Sequence, residues 1–363
     1  MVIKKAYREG DVRAVRFLRY GGGPEVVKVP TPVPHDGEVL LQVLAAGLCH
    51  TDIFLMSQDE GQSIYAAPPL TLGHEGVGTV VELGPEAVGV DVGDVVAVYP
   101  PWGCGQCYDC AVGDEHHCTK ARASGIGTPG LTTNGALAEY LLVDSPRHLV
   151  SIGGLDPVDA APLTDAGLTP YHVIKASLAK FTPGSVAVVI GVGGLGHLAV
   201  QMLKVLSPAI VVALDVDDAK LELARNLGAD VAMLSSDHDL RSRIADLSHG
   251  RMATAVFDFA GSQSSLDIAR TLVGVGGDLR LIGVGLGGAF TKAGFGYMPF
   301  DSTIGVSTWG SRRDLFEVIE LADRGLIQVN SQRFSLDEAP FAYEKLRLGE
   351  LLGRAVVVPC ASH

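Results

Sequence analysis

Residues 186–196 of the chain read VAVVIGVGGLG, an apolar run that passes directly into a glycine-rich turn. The β-branched run predicts a buried strand, and the apolar spacing over residues 194–206 predicts a helix after the turn. A G-x-G-x-x-G turn between a strand and a helix is typical of dinucleotide binding. The first glycine makes the turn, the second admits a pyrophosphate, and the third lets the helix pack on the strand and aim its free N–H groups at the phosphates. The candidate cofactor-binding residues of this turn are Gly191, Gly193, Gly194, Leu195 and Gly196.

The residue that selects the dinucleotide is Asp215, at the end of the next predicted strand. A carboxylate at this place binds the two hydroxyls of the adenosine ribose. Asp217 and Asp218 follow and no arginine adjoins Asp215, so a 2′-phosphate would meet three carboxylates. The sequence therefore favours NAD over NADP. The competing interpretation is a glycine-rich turn with a solvated aspartate at a strand end.

The character of the chain changes at about residue 157, and from there strands alternate with helices. The predicted strands are 186–190, 210–215, 231–234, 255–259, 279–284 and 304–308, and the predicted helices are 194–206, 217–227, 239–247 and 264–273. Such alternation implies parallel strands with right-handed crossovers. These six strands match an α/β fold with a doubly wound, dinucleotide-binding sheet.

The residues before 157 have a different character. Short alternating segments at 12–18, 25–29, 38–45, 76–83, 94–99 and 137–143 are separated by glycine and proline, and no strong helix is evident. This pattern predicts a β-rich domain, of the kind that forms a partly open barrel.

A cluster of four cysteines lies inside this β-rich part. The cysteines, spaced C-x2-C-x2-C-x7-C, are Cys104, Cys107, Cys110 and Cys118. Four thiolates at this spacing can close a tetrahedral shell around zinc and leave no position for chemistry, which predicts a structural zinc ion. An iron–sulfur cluster is the competing metal group, although the x3-C-P continuation of ferredoxins is missing. His116 and His117 are expected to be solvated rather than additional ligands.

Composition excludes several classes of protein. The 363 residues suggest about two domains, and 47% hydrophobic against 19% charged residues describes a folded chain. A net charge of −13 argues against nucleic-acid partners and anionic membrane surfaces. Residues 1–13 are charged and do not resemble a signal peptide, and glycines interrupt the apolar run 186–206 as a membrane span. Clustered cysteines, with only Cys49 and Cys360 outside the cluster, suit metal binding in the reducing cytoplasm.

Taken together, these features resemble the zinc-dependent medium-chain dehydrogenase/reductase (alcohol dehydrogenase) family. The resemblance includes GLCHTD at 47–52, GHEGVG at 73–78, the cysteine cluster and GVGGLG, and DAGLTPYH at 165–172 is similar to the bacterial secondary-alcohol dehydrogenases. It implies a discontinuous GroES-like catalytic domain from residues 1–164 and 310–363, with a structural zinc lobe at 103–119. Residues 165–309 would form the Rossmann NAD-binding domain, with substrate bound between the two.

The resemblance also implies a catalytic zinc ion, so that the chain would hold two zinc ions. Cys49 and His74 match two of its ligands, and Asp165 stands where many members have the third ligand, a cysteine. A carboxylate oxygen also binds zinc and carries the charge of a thiolate. Without the resemblance, a cysteine such as Cys49 beside His50 is ordinarily a small core residue next to a surface residue.

Further roles follow from the same resemblance. Thr51 would take the alcohol proton during reversible hydride transfer to NAD, Asp52 would orient His74, and Glu75 would lie behind the metal. His50 matches a position that contacts the cofactor pyrophosphate and offers a route for the proton. Phe54 replaces the histidine that usually continues the proton relay, so it becomes a pocket wall.

The substrate and the assembly are less constrained. Phe54 and Trp309 suggest an apolar pocket for a secondary alcohol or ketone, whereas Tyr65 and Trp102 favour core packing. A polyol or aldehyde-specific zinc dehydrogenase shares every motif, a zinc-free quinone or enone reductase would not need the ligands, and a catalytically idle zinc- and nucleotide-binding protein remains an alternative. The family implies a homodimer or homotetramer that associates through the predicted strand 304–308.

Overall fold

The computed structural model describes residues 10–61, 63, 65–124, 127–283 and 296–359. It divides the chain into two compact units. The first comprises the residues up to Asp165, Ser331–Leu351 and the residues from Ala355 on, and the second comprises Ala166–Asn330 and Leu352–Arg354. The predicted strand end at Val284, the segment 1–9 and Cys360 lie outside the described residues. The domain bounds expected from the sequence stay a prediction.

Strands and helices run along the whole described chain. The strands are β1 (Asp11–Phe17), β2 (Pro24–Pro30), β3 (Val39–Gly47), β4 (Leu70–Thr71), β5 (Glu75–Leu83), β6 (Val95–Val98), β7 (Tyr140–Val143), β8 (Leu149–Ser151), β9 (Val186–Ile190), β10 (Ile210–Asp215), β11 (Val231–Leu234), β12 (Ala253–Asp258), β13 (Val273–Leu281), β14 (Thr303–Val306), β15 (Ser331–Ser335) and β16 (Arg354–Val358). The α-helices are α1 (His50–Met56), α2 (Tyr108–Val112), α3 (Thr119–Ser124), α4 (Pro157–Ala160), α5 (Leu168–Ser177), α6 (Gly196–Leu206), α7 (Asp218–Asn226), α8 (Leu240–Leu247), α9 (Gln263–Leu272), α10 (Arg312–Asp323) and α11 (Ala339–Arg347).

The second unit is built on one parallel sheet. Its strands lie in the order β11-β10-β9-β12-β13-β14, and each neighbouring pair is parallel. Numbered within the sheet this is the order 3-2-1-4-5-6 of a dinucleotide-binding fold. The predicted doubly wound sheet is therefore confirmed. The sheet core contains fully buried β-branched residues such as Val188, Val212 and Val256, as expected for strands covered on both faces.

Three helices of this unit, α7, α9 and α10, begin at side-chain caps. The carboxylate of Asp217 accepts a hydrogen bond from the N–H of Ala219 at the start of α7. A serine caps α9 and another caps α10, at Ser262 and Ser311. These oxygen acceptors satisfy N–H groups that have no partner within the helix. The helix α5 was absent from the sequence prediction, because its residues are mostly buried and lack a clear polar face.

The first unit is β-rich and contains two sheets. One has the order β2-β1-β4, and the other has the order β15-β16-β3-β5-β6-β8, with β7 also paired to β3. The antiparallel pair β3–β5 places Gly47 opposite Glu75, and β16 pairs with the same end of β3 through Val356 and Gly47. The predicted GroES-like, β-rich character is confirmed.

The expectation that this part lacks helices was wrong at α1. Asp52 is the third residue of that helix, and its carboxylate accepts a hydrogen bond from the backbone N–H of Cys49, 3.1 Å away. Such a reciprocal cap stabilises a helix that is too short to show a periodic pattern in the sequence. A separate observation concerns membranes: among the described residues, no helix has both the length and the apolar character needed to cross a bilayer.

Candidate active site

Three side chains from distant parts of the first unit converge on one point. The carboxylate Oδ2 of Asp165 lies 3.5 Å from Cys49 Sγ and 3.4 Å from His74 Nε2. Zinc–ligand bonds of about 2.0–2.3 Å at tetrahedral angles place oxygen about 3.6 Å from sulfur and about 3.4 Å from nitrogen. Both distances match those between corners of a zinc tetrahedron, and all three ligand atoms lie within 4.8 Å of one another.

Short connections between secondary-structure elements position these three residues. Cys49 follows β3 and precedes α1, His74 precedes β5, and Asp165 ends a short 3₁₀ turn. Gly73, before His74, has φ +95°, and a Cβ there would lie 2.8 Å from the backbone nitrogen of Leu137. Only glycine fits this turn, which fixes the direction in which His74 leaves the backbone.

The group is buried and lies beside a further carboxylate, that of Asp52. Cys49, His74 and Asp165 are all buried, and neither ring nitrogen of His74 has a hydrogen-bond partner. Burial opposes a charged imidazole, but Asp52 and Asp165 outweigh it and hold the pKa of His74 well above its usual range. A polar ring without hydrogen bonds, facing a carboxylate and a thiol in the protein interior, is a costly arrangement unless a cation lies between them. The donor set thus fits a divalent zinc ion.

Asp52 lies directly behind His74. Its Oδ1 is 3.2 Å from His74 Nδ1, close but not aligned as a hydrogen bond. Its Oδ2 accepts hydrogen bonds from the Cys49 N–H at 3.1 Å and from the Tyr343 hydroxyl at 2.8 Å. Sequence reasoning missed Tyr343, which lies 291 positions from Asp52. No local motif marks it, because only the fold brings α11 beside α1.

Glu75 occupies a place that depends on Gly47. Glu75 is fully buried, and a Cβ on Gly47 would lie 1.8 Å from Glu75 Oε2. The strand pairing puts the two residues opposite each other. Gly47, the glycine of the GLCHTD motif, therefore leaves space for the carboxylate of Glu75. This glycine is visible in the sequence.

Helix α1 also carries three other predicted site residues, His50, Thr51 and Phe54. Thr51 Oγ1 lies 3.5 Å from Cys49 Sγ, and the side chain of His50 is exposed. Phe54 packs edge-to-face with Tyr65, with ring centroids 6.4 Å apart. The expectation that Tyr65 is a core residue was wrong, because its ring is only partly buried.

Trp102, the other aromatic residue assigned to the core, is buried as expected. Its ring stacks on His148 at 5.5 Å.

The four cysteines of the lobe also converge. Neighbouring sulfur atoms are 3.4 Å apart for Cys107 and Cys110, 3.8 Å for Cys107 and Cys118, and 3.9 Å for Cys104 and Cys110. A disulfide needs about 2.05 Å, whereas the sulfurs of a tetrahedral zinc–thiolate site are about 3.8 Å apart. A backbone N–H, from Gln106, contributes most to lowering the pKa of the Cys104 thiol to about 6. The lobe fits a structural zinc ion with four sulfur ligands.

A buried carboxylate supports the lobe. Glu115 accepts hydrogen bonds from the N–H of Gly103 at 2.9 Å and from the Arg147 guanidinium at 2.8 Å, and it lies 3.0 Å from His148 Nε2. These partners outweigh the effect of burial and lower the pKa of Glu115. Sequence reasoning missed this residue. It also expected His116 to be solvated, and that was wrong, because the 3₁₀ turn at Glu115–His117 directs His116 inward.

The glycine turn of the second unit has the geometry expected of a phosphate site. Gly191 has φ +86°, and a Cβ on Gly196 would lie 1.9 Å from the carbonyl oxygen of Gly191. A Cβ on Gly193 would meet nothing within 4 Å, so the backbone there is open to a ligand. Gly194 faces Arg354, because a Cβ there would lie 2.5 Å from the guanidinium. Turn, approach and close packing thus fall on the glycines to which the sequence assigned them.

His197 secures this turn from inside α6. Its Nδ1–H donates to the carbonyl of Gly193 at 3.0 Å, and its Nε2 accepts from the N–H of Asn330 at 3.3 Å. Burial lowers the pKa of His197 to about 4. The ring is therefore neutral at pH 7 and acts as donor on one side and acceptor on the other.

Asp215 is buried at the end of β10 and contacts the same turn. Its Oδ2 accepts from the N–H of Val192 at 2.7 Å, and its Oδ1 accepts from those of Val216 at 2.8 Å and Asp217 at 3.1 Å. A carboxylate has about four acceptor positions, so one remains for a ribose hydroxyl. Elsewhere in this unit, Trp309 has φ +53° and its backbone N–H donates to the hydroxyl of Thr169. Its place in a substrate pocket stays a prediction.

Known proteins resemble the chain over nearly its whole length. Residues 35–153 match the profile of the alcohol dehydrogenase GroES-like domain, and residues 194–324 match that of the zinc-binding dehydrogenases. An NAD-dependent alcohol dehydrogenase of Sulfurisphaera tokodaii is 35% identical, over 96% of this chain and 100% of that protein. A D-arabinose 1-dehydrogenase (NADP(+)) of Saccharolobus solfataricus is 34% identical, over 96% of this chain and 97% of that protein.

A solved structure agrees with these sequence relatives. The crystal structure of the alcohol dehydrogenase from the archaeon Aeropyrum pernix matches with a TM-score of 0.88 at 34% identity, over 96% of this chain and 100% of that chain. Fold and sequence therefore point to the same group of proteins.

Proposed function

The chain belongs to the zinc-dependent medium-chain dehydrogenase/reductase family, and on that basis we propose that it interconverts an apolar secondary alcohol and its ketone with NAD at the site of Cys49, His74 and Asp165. The observation that carries the proposal is the tetrahedral spacing of these three buried ligand atoms. Three protein ligands and one open position are typical of catalytic zinc, whereas the four cysteines of the lobe leave no open position.

The catalytic zinc ion would be held by one thiolate, one neutral imidazole and one carboxylate. When bound, zinc supplies Lewis-acid chemistry, since it lowers the pKa of an alcohol at its open position. Asp165 in place of a cysteine keeps the protein charge at this site unchanged. Glu75, behind Gly47, adds a buried carboxylate to the surroundings of the site.

Thr51 is the residue that we assign to the proton. A hydroxyl both accepts and donates a hydrogen bond, and Thr51 Oγ1 lies beside the ligand sulfur of Cys49. Thr51 Oγ1 would accept the proton of the alcohol while donating its own onward. Since Phe54 cannot carry a proton, the way out leads through solvent or through the exposed His50.

The turn at Gly191–Gly196 and Asp215 would bind NAD. The nicotinamide supplies the hydride acceptor. In the second unit the open backbone at Gly193 would receive the pyrophosphate, and the remaining acceptor position of Asp215 would bind the adenosine ribose.

The substrate class rests on the aromatic pair Phe54 and Tyr65. Two rings in edge-to-face contact offer an apolar wall, which favours an alkyl or aryl substituent over the many hydroxyls of a sugar. The relative that is named for D-arabinose keeps the polyol alternative in the test. NADH absorbance with 2-alkanols, 1-phenylethanol, primary alcohols and pentoses separates the classes. Turnover of pentoses alone would contradict the apolar assignment.

Assembly and location are further parts of this proposal. The edge strand β14 and its surroundings expose Val275, Phe300, Ile304 and Val306, a surface that suits self-association as a homodimer or homotetramer. The free thiols of two ligand groups suit a cytoplasmic location, where they stay reduced.

The test of the metal assignment compares Asp165→Ala with the surface variant Asp267→Ala. We expect two zinc ions per chain in the unaltered protein and in Asp267→Ala, and one in Asp165→Ala. Loss of the open-site metal removes its stabilisation of the alcohol, so kcat/KM should fall by about 10³-fold or more. Asp165→Cys restores a common ligand set and should recover zinc and activity. Two zinc ions and full activity in Asp165→Ala would refute the assignment.

A further inference from the structure

We infer that Tyr343 is a positioning residue for the metal site, whose hydroxyl holds the imidazole of His74 in place through the carboxylate of Asp52. The inference rests on the proposed function, since it concerns the metal that His74 would bind. Tyr343 touches neither ligand nor metal, and its effect would pass entirely through Asp52.

The two carboxylate oxygens of Asp52 have different partners. Oδ2 accepts two of them, from the N–H of Cys49 and from the hydroxyl of Tyr343, at 3.1 Å and 2.8 Å. These two donors fix the rotation of the carboxylate. Oδ1 is thereby directed at His74 Nδ1, 3.2 Å away. One carboxylate thus contacts the backbone of one metal ligand and the ring of another.

Asp52 and Tyr343 are both shielded from solvent. Asp52 has no solvent exposure and Tyr343 is 3% exposed, so water does not replace a lost donor. Burial first and the charge of Asp52 second raise the pKa of Tyr343 well above its usual range. The hydroxyl is therefore a permanent donor. Without it, Asp52 would keep a single donor on Oδ2 and could rotate away from the imidazole.

Tyr343 comes from a part of the chain that is distant in sequence from Asp52. It lies on α11, whose buried face also includes Ala339, Ala342 and Leu346. This helix belongs to Ser331–Leu351, the segment in which the chain returns to the first unit after Asn330. The returning chain thus contributes to the metal site as well as to the sheet. The order of partners is Tyr343, then Asp52, then His74, the arrangement in which outer partners orient a ligand imidazole.

The experiment compares Tyr343→Phe with Tyr171→Phe, a matched control. The hydroxyl of Tyr171 donates to a carboxylate oxygen of Glu317 at 3.0 Å, but it does so in the second unit. The measurements are zinc content, the competition of a chelator for the more weakly held zinc, and the absorption spectrum after cobalt replaces that zinc. We expect Tyr343→Phe to hold this zinc about tenfold less tightly, the lower end of the range for outer-shell partners. The cobalt spectrum should also shift, while the lobe zinc and Tyr171→Phe stay unchanged.

A purely structural role of Tyr343 gives a different result. It would lower the melting temperature of the zinc-free and zinc-loaded proteins alike and leave zinc affinity within twofold of the unaltered protein, which overturns the inference. A double-mutant cycle with Asp52→Asn tests the route. If Tyr343 acts through Asp52, removing its hydroxyl in the Asp52→Asn background has no further effect on zinc affinity, whereas additive losses overturn the inference.

The remaining outcomes are also decisive. If the unaltered protein holds only one zinc ion, the proposed function fails; if it holds two and Tyr343→Phe holds both as tightly, only the role of Tyr343 fails. If Tyr343→Phe does not fold, 3,5-difluorotyrosine at position 343 replaces it, because it keeps the ring and changes the acidity of the hydroxyl. A changed rate of zinc release to the chelator then supports the inference, and an identical rate overturns it.

Discussion

Asp165 is the proposed zinc ligand at which this chain differs from the many family members that are expected to have a cysteine there. Its oxygen stands at the distances from Cys49 and His74 that a tetrahedral zinc ion requires. Oxygen is a harder ligand than sulfur and donates less electron density to the metal. We therefore expect the metal of this site to be a stronger Lewis acid than one that is held by two cysteines.

The first prediction at this scale concerns Asp215 and the choice of cofactor. Asp215→Ala removes the acceptor for the ribose and reduces the three carboxylates that a 2′-phosphate would meet to two, Asp217 and Asp218. NAD should therefore bind at least about tenfold more weakly, while NADP loses less. Isothermal titration with both cofactors measures this ratio. Asp215→Asn serves as the matched variant, since it keeps one oxygen for the N–H of Val192. An unchanged NAD/NADP ratio in both variants contradicts the role of Asp215.

Individual site residues differ in how well the sequence predicts them. Cys49, His74 and the glycines of the turn lie in short motifs whose spacing is set by local geometry, so they are visible in the sequence. Asp165 is visible only through a resemblance to a family. Tyr343 and Glu115 are not visible at all, because their partners are distant in the chain and a lone tyrosine or glutamate has no distinctive spacing.

At the scale of elements, we expect the stability of the cysteine lobe to depend on its metal. Cys107→Ser removes one of four thiolates and should release the lobe zinc, at a cost of about 2–3 kcal/mol or more. This corresponds to a fall in Tm of about 5–10 °C for a unit of this size. Activity of the freshly prepared protein should stay within about threefold, because no lobe residue belongs to the group of Cys49, His74 and Asp165.

The measurements for the lobe are zinc content, calorimetry and initial rates, with Val112→Ala as a control on the exposed side of α2. A variant that loses activity at once and keeps its Tm would show that the lobe has a catalytic role instead.

The helix α6 gives a prediction on acid stability. The pKa of His197 is lowered to about 4 in the folded chain, whereas an unfolded histidine titrates near 6.5. The unfolded state therefore binds more protons between these values. The stability contributed by the neutral ring is complete above about pH 6.5 and is lost as the pH falls towards 4. The loss amounts to about 3 kcal/mol.

Urea unfolding between pH 7 and pH 4 tests this prediction. We expect the free energy of unfolding of His197→Gln to fall less over this range than that of the unaltered protein. His238→Gln, which changes an exposed histidine of the same unit, should keep the original slope. Equal slopes in all three proteins would mean that His197 does not titrate on unfolding.

Elements were predicted best where burial and period coincide. The bounds of β9, β10 and β11 agree with the sequence prediction, because apolar β-branched runs between turns leave little choice. The helices α1 and α5 were missed for different reasons. Helix α1 has only seven residues, and helix α5 is buried on nearly all sides. Local propensity does not decide either case, and tertiary packing does.

At the scale of the whole molecule, the edge of the second unit's sheet gives a prediction on assembly. Val306 on β14 is 83% exposed, and Val275 and Phe300 are exposed as well. A charge at the edge blocks the pairing of strands between chains. Val306→Lys should therefore lower the mass measured by light scattering, towards that of a monomer. Val88→Lys changes an equally exposed valine of the first unit and should leave the mass unchanged.

A mass that is unaffected by Val306→Lys, or a monomer in the unaltered protein, would contradict the proposed interface. The exposed fraction of Val306 could not be foreseen from the sequence, because a valine-containing strand is equally typical of a central position in the sheet. The order of the strands determines that β14 lies at the edge.

The pairing of β16 with β3 also sets an order of events during synthesis. The N–H of Leu48, next to Cys49, donates to the carbonyl of Ala355, so the strand that leads to the first metal ligand is completed by a residue that the ribosome adds much later. At about 5–20 residues per second, this end of β3 waits roughly 15–60 s for its partner. Most of the second unit, Ala166–Asn330, is synthesised during this interval, while the nascent first unit still has an open strand edge beside Cys49. We therefore expect the backbone next to Cys49, the first proposed ligand to be translated, to be fixed only when the chain is nearly finished, and zinc capture at this site to be a late step in its maturation.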